Sequence, residues 1–143
     1  MHTDLTHARI LLDSGDITCA VCCGDRRFTA TERGVRPLLN WLDAGMDFSG
    51  FSAADRVIGR ATAYLYVLLG VREVYARVMS QPAAEVLRCH GIRCCADTMV
   101  EGIINRAGTG PCPFEAAVMD ITDASAALQA IRNKMMQMQK GTR

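Results

Sequence analysis

Several things are scarce in this chain, and each absence excludes something. Proline occurs four times in 143 residues and charged residues make up 22%. Half the residues are apolar. Such a composition belongs to a globular chain and excludes a disordered one. There is little excess charge of either sign, the net value being +1. No overall field recruits nucleic acid or an anionic membrane, and no basic stripe is present. The longest apolar run, residues 61–69, is far short of the roughly 20 residues a membrane span requires. The first nine residues lack the basic start and apolar stretch of a secretory signal. There is no internal repeat, low-complexity stretch or linker, so a single domain over 1–143 is expected, with a tail over about 134–143.

Cysteine is plentiful by contrast. Seven are present, an odd number, and two pairs are adjacent: Cys22-Cys23 and Cys94-Cys95. A core of apolar residues is already available, so reduced thiols and a cytoplasmic location are expected rather than a disulfide scaffold. Cys19-x-x-Cys22-Cys23 has a metal or redox spacing. On a strand, however, Cys19 and Cys22 point to opposite faces, and Cys19 and Cys23 read as core.

The pattern of breakers and apolar positions gives an order of elements. A helix is expected over 4–13, with Thr3 as N-cap. Strands follow over 17–23 and 26–31, closed by the Gly24-Asp25 turn. A short helix runs from the Gly34–Pro37 segment through Leu42, and residues 44–50 form a loop. Residues 52–69 read as the strongest helix. Ser52 and Asp55 form a capping box, and Val57, Ala61, Tyr64, Leu65 and Leu68 recur at helical spacing. Gly70 ends it. A strand over 71–79, a helix over 82–90 and a short strand over 92–96 come next. Residues 100–104 fit either a strand or a helix. Residues 113–119 form a short helix. Thr122 or Asp123 caps the last one, with an apolar stripe of Ala124, Ala127, Leu128, Ile131, Met135 and Met138. A hairpin followed by alternating helices and strands implies an α/β fold with a mixed sheet and helices on its faces.

The least ordinary segment is Asn105-Arg-Ala-Gly-Thr-Gly-Pro-Cys-Pro-Phe-Glu115. Gly108 and Gly110 permit tight turns, and Pro113 suits the first position of a helix. Cys112 then falls at the N-cap, where the helix dipole favours thiolate, and Glu115 lies in the same turn. Two readings fit. One is a reactive thiolate, or a Cys112/Glu115 metal half-site, beside an anion-binding loop built from Asn105, Arg106, Gly108, Thr109 and Gly110. The other is a structural turn leading into a capped helix. Gly-Thr-Gly by itself is neither a dinucleotide fingerprint nor a P-loop. At the start of the expected 52–69 helix, Arg56 opposes the dipole and calls for an anion. Arg60, one turn on, can reach the same phosphate or carboxylate. Solvated arginines are the plainer alternative.

Several motifs occur together: His2-Thr-Asp-Leu, Gly34-Val-Arg-Pro-Leu38, Ala54-Asp-Arg-Val-Ile-Gly-Arg-Ala61, Val74-Tyr-Ala76, and Ile104-Asn-Arg-x-Gly-Thr109 leading to Cys112-Pro-x-Glu115. In this combination the chain resembles a prokaryotic domain-of-unknown-function family placed by fold in the cytidine-deaminase-like superfamily. The resemblance implies a three-layer α/β/α sandwich around a mixed sheet, and no established activity. True deaminases of that superfamily bind zinc through His-x-Glu or Cys-x-Glu at one helix start and Pro-Cys-x-x-Cys at another. This chain keeps Pro111-Cys112 but carries Glu115 in place of the second cysteine, and Asp55 is the one metal-ligand candidate at the other start. The resemblance admits zinc; the donor set disfavours it. The expected function is binding of a small anionic or nucleotide-like metabolite at two helix N-termini, with Cys112, Glu115 and Asp55 as catalytic candidates. A non-catalytic regulatory or oligomeric module on a degenerate enzyme fold is the alternative. A homo-oligomer through the last helix is a further possibility, and neither nucleic acid nor membrane is expected as a partner.

Overall fold

The structure is a computed structural model, and it describes residues 3–105 and 107–141. The chain runs α1 (Thr3–Leu12), β1 (Cys19–Cys23), β2 (Arg26–Ala30), α2 (Arg36–Asp43), β3 (Ser52–Ile58), α3 (Arg60–Leu69), β4 (Glu73–Ser80), α4 (Gln81–Cys89), β5 (Arg93–Val100), α5 (Pro113–Ala117) and α6 (Ala124–Gly141). The five strands form one sheet in the order β2-β1-β3-β4-β5. β1 pairs antiparallel with β2 and β3, whereas β3, β4 and β5 run parallel. No described helix is long and apolar enough to cross a membrane.

The layers follow from the two sides of the sheet. α1 buries Leu5, Ala8 and Leu12 against Ala20, Cys22, Ala54 and Tyr75. The larger cluster lies on the opposite face, under α2, α3, α4 and α6, around Phe48, Tyr64, Leu65, Leu87 and Ile131. This is the expected three-layer α/β/α sandwich with a mixed sheet. The hairpin closes at Gly24, whose φ of 59° suits the first position of a two-residue turn. Cys19 and Cys22 do point to opposite faces.

One expectation is overturned, and it bears on the site. Residues 52–69 are not one helix: Ser52–Ile58 is the central strand and α3 begins at Arg60. β3 is covered on both faces, so it lacks the alternation that marks a half-exposed strand. Ser52 caps no helix. Its hydroxyl donates to Glu73 Oε2 at 2.6 Å in the buried sheet. Asp55 therefore sits in the middle of a strand and Arg56 just after it, and Arg56 and Arg60 are not one helical turn apart. Gly59 is the N-cap of α3, and Gly70 ends that helix as expected, with φ 86°. Smaller differences lie at boundaries. β5 extends to Val100, and α6 continues to Gly141 through the segment expected to be a tail. Asp123 caps α6, its Oδ2 accepting from the Ala126 N–H at 2.8 Å. The expectations on His2, the Thr3 cap and Arg106 lie outside the described residues and side chains.

Candidate functional site

β3 ends beside the antiparallel start of β1, and α3 leaves from that end. Ligands of open α/β sheets bind outside the carboxyl ends of strands where neighbouring connections diverge. A cleft of about 920 Å³ lies there. Asp55, Arg56 and Val57 reach it from β3, Cys19 from β1, and Gly59, Ala61 and Thr62 from the start of α3. Ile103, Asn105 and Cys112–Glu115 form another wall, with Met135 and Met138 of α6 beyond.

Asp55 is at the deep end. It is 8% exposed and faces Cys19 across the β1–β3 ladder. The Tyr66 hydroxyl donates to Asp55 Oδ2 at 2.7 Å. Burial pushes the carboxyl up to about 7, against the Tyr66 hydrogen bond, the Val57 and Arg56 N–H groups and the Arg56 charge. At neutral pH such a group is divided between acid and carboxylate. The Cys19 thiol is pushed up by burial and by the Asp55 charge, so it is not a thiolate. Tyr66 is held well above the usual phenol range by burial, then by Asp55 and Cys19.

Arg56 is fixed at two points. Its N–H donates to Thr18 O at 3.3 Å, and one guanidinium nitrogen donates to Gly15 O at 3.2 Å. Its Nε is buried and finds no hydrogen-bond partner among the described residues. Arg60 is directed elsewhere. Its Nε donates to Val118 O at 3.1 Å, and its guanidinium also reaches Ile121 O and the Tyr64 hydroxyl. These bonds dock the α5–α6 connection onto α3.

The starts of α3 and α5 meet through Glu115, and the expected helix start at 52–56 is not one of them. Glu115 Oε1 accepts from the Arg60 N–H at 2.6 Å and Oε2 from the Ala61 N–H at 2.8 Å. The α5 carboxylate thus caps α3, filling the anion position that the dipole creates. Cys112 is the N-cap of α5 through its backbone, and its half-buried side chain makes no capping bond. Its N–H donates to Ile103 O at 2.8 Å, tying this start to the cleft wall.

The Asn105–Gly110 loop is largely self-contained. Asn105 Oδ1 accepts from the Thr109 N–H at 3.0 Å, and the Asn105 N–H donates to Gly110 O at 2.8 Å. Gly108 takes φ 71°, a conformation that favours glycine. Asn105 lines the cleft; Gly108, Thr109 and Gly110 do not. Asp55, Arg56, Cys112 and Glu115 are therefore brought to one cleft, while Arg60 and the tip of the loop face away from it.

A zinc site does not fit these residues. Both Glu115 oxygens are engaged by α3 and Asp55 is engaged by Tyr66. Among the described residues no three His, Cys, Asp or Glu side chains gather as metal ligands. Cys19, Tyr66, Met135 and Met138 also belong to the site, and no local pattern in the sequence marks them for it. Tyr66 was open to inference only with the correct start of α3, which places it on the face turned to β3.

The family model for a domain of unknown function, DUF1893 (TM1506), matches residues 7–135. The chain belongs to the DUF1893 family. The crystal structure of a DUF1893 family protein (TM1506) from Thermotoga maritima, at 2.70 Å resolution, is similar to it with a TM-score of 0.83. The two are 21% identical, over 96% of this chain and 91% of that one, a likeness that establishes the fold alone. No curated protein matches the chain.

Proposed function

We propose that the cleft at the end of β3 binds a small anionic or nucleotide-like metabolite. The observation that carries this reading is the convergence of Asp55, Arg56 and Cys112 on one cleft with apolar walls. Such a wall with a few polar groups at one end is the usual form of a small-molecule site. Asp55, buried and with its pKa raised to about 7, can accept or donate a hydrogen bond at neutral pH. That suits the amide- or amidine-like edge of a base. Arg56, whose buried Nε has no hydrogen-bond partner among the described residues, suits a phosphate or carboxylate oxygen. Val57, Phe114, Met135 and Met138 offer surface to a flat ring, and methionine thioethers contact aromatic edges favourably.

Within this reading Asp55 is the proton-transfer candidate and Cys112 the nucleophile candidate. Glu115 holds the wall in place. A non-catalytic binding module is the second reading, favoured by the engagement of both Glu115 oxygens with α3. One experiment separates them. Cytidine, CMP, AMP and inorganic phosphate are titrated into the protein and unfolding is followed thermally. A nucleotide at a hundredfold excess over its Kd stabilises by about 2.7 kcal/mol. The shift should exceed that from phosphate and be lost in Arg56→Ala and Asp55→Ala. Chromatography of the same mixtures reports turnover, which the non-catalytic reading forbids. Equal melting temperatures with and without every compound would sink the proposal.

A further inference from the structure

The two edges of the sheet are unlike one another. β2 is five residues long and carries exposed Arg26 and Arg27. Short, charged edge strands resist pairing with another chain. β5 is eight residues long, follows β4 along its length, and contains neither proline nor lysine. The sheet ends at β5, and among the described elements no strand covers its outer side.

The backbone direction of β5 is fixed. The Arg93 N–H donates inward to Arg72 O at 3.3 Å. Successive residues alternate, so Cys94, Ala96 and Thr98 turn their N–H and C=O groups outward. The side chains of Arg93, Cys95 and Asp97 share the α1 face, where Asp97 meets Tyr75, and are exposed. α1 packs on β1, β3 and β4, which leaves that face of β5 open.

Arg93 and Asp97 lie at equal distances on either side of Cys95. Within the chain Arg93 reaches Glu73 Oε1 at 3.4 Å and Asp97 accepts from the Tyr75 hydroxyl, each with donor or acceptor capacity left over. An antiparallel strand of the same sequence, related by a two-fold axis through Cys95, sets each Arg93 opposite Asp97 of the second copy. In that register Cys94 and Ala96 exchange backbone hydrogen bonds across the axis. Moving the axis to Ala96 removes both ion pairs, and moving it to Asp97 sets two carboxylates against each other. Opposite charges facing across a ladder stabilise it and like charges destabilise it. We propose that two copies of this chain pair antiparallel through β5, about a two-fold at Cys95, and join their sheets into one. The proposal is independent of the cleft, which lies at the end of β3.

The geometry also sets the two Cys95 residues face to face. Directly opposed residues in a non-hydrogen-bonded pair have Cα atoms about 4.5 Å apart, within the range a disulfide spans. Diamide, a thiol oxidant, takes two electrons and two protons from a pair of thiols and leaves one S–S bond.

The test uses the full chain. Analytical ultracentrifugation of the reduced protein should give twice the 15.6 kDa mass of one chain. Asp97→Arg should weaken association at least ~tenfold, and Arg93→Asp in the same chain should restore it. Diamide should yield a disulfide-linked dimer on a non-reducing gel, lost in Cys95→Ser and kept in Cys89→Ser. The diamide result on unmutated protein decides the matter if either charge variant fails to fold. A monomer at high concentration, or a dimer whose cross-link survives Cys95→Ser, overturns the proposal.

Discussion

The carboxylate of Glu115 occupies the space that a β-carbon on Gly59 would need. A Cβ built there would lie 2.5 Å from Oε1. The approach lets Glu115 accept from the N–H groups of Arg60 and Ala61, so the start of α5 caps the start of α3 across 54 or more residues of chain. Gly59 has φ −98°, so its backbone is unstrained, and a side chain there would displace the end of Glu115 and its capping bonds.

Gly59→Ala should therefore destabilise the fold by roughly 1–3 kcal/mol, through displacement of the cap. Glu115→Ala should cost a similar amount. The two losses should not add, because removing Glu115 makes room for the new methyl group. Urea unfolding of the two single variants and the double variant checks this. Additive losses would mean that the two positions act separately.

Asp55 should make stability depend on pH in an unusual direction. Its carboxyl stands near 7 in the folded protein and ordinarily at 3.8. The folded state therefore holds the proton more tightly, and the contribution of this group is greatest below its unfolded pKa. It is lost as pH rises toward 7, by an amount of roughly 4 kcal/mol at most. Asp55→Asn should flatten the stability profile between those values. Tyr66→Phe should move the Asp55 midpoint higher by removing a bond to the carboxylate. Carbon NMR of the Asp55 carboxyl reads the midpoint directly.

Glu73 should act with the opposite sign. Burial raises its pKa, but the Ser52 hydroxyl and then Arg72 and Arg93 outweigh it and hold the carboxyl below the ordinary range. Its contribution is present above the unfolded pKa and is lost as pH falls through the folded one. Ser52→Ala should cost about 1–3 kcal/mol near neutral pH and less in acid. A cost that grows on acidification would contradict this assignment.

Alkylation should rank the cysteines by burial. Cys89 and Cys95 are exposed, Cys112 is half-buried, and Cys19 and Cys22 are buried. Burial also raises the pKa of Cys19, with Asp55 adding to it. Iodoacetamide should label Cys89 first and leave Cys19 and Cys22 until the protein unfolds. Mass spectrometry of timed digests gives the order. Early labelling of Cys19 would exclude the buried Cys19–Asp55–Tyr66 cluster.

Much of this molecule was determined locally, and the sequence alone was enough to read it. The Gly24-Asp25 turn, the Gly70 stop, the Pro113 helix start and the apolar stripe of α6 each depend on a few adjacent residues. So does the assignment of Cys19 and Cys22 to opposite faces of one strand. The convergence of two distant segments was also legible, though with the wrong geometry at one of them. The tertiary structure decided what depends on neighbours remote in sequence. Ser52 and Asp55 satisfy a capping pattern, yet burial of β3 on both faces and the Ser52–Glu73 bond make that segment a strand. Glu115 looks like an acid at the start of its own helix, and only packing directs it to the amides of another. The perturbation of Asp55 depends on Tyr66, Cys19 and the exclusion of water. A sequence names these groups, and only the fold brings them within hydrogen-bonding distance.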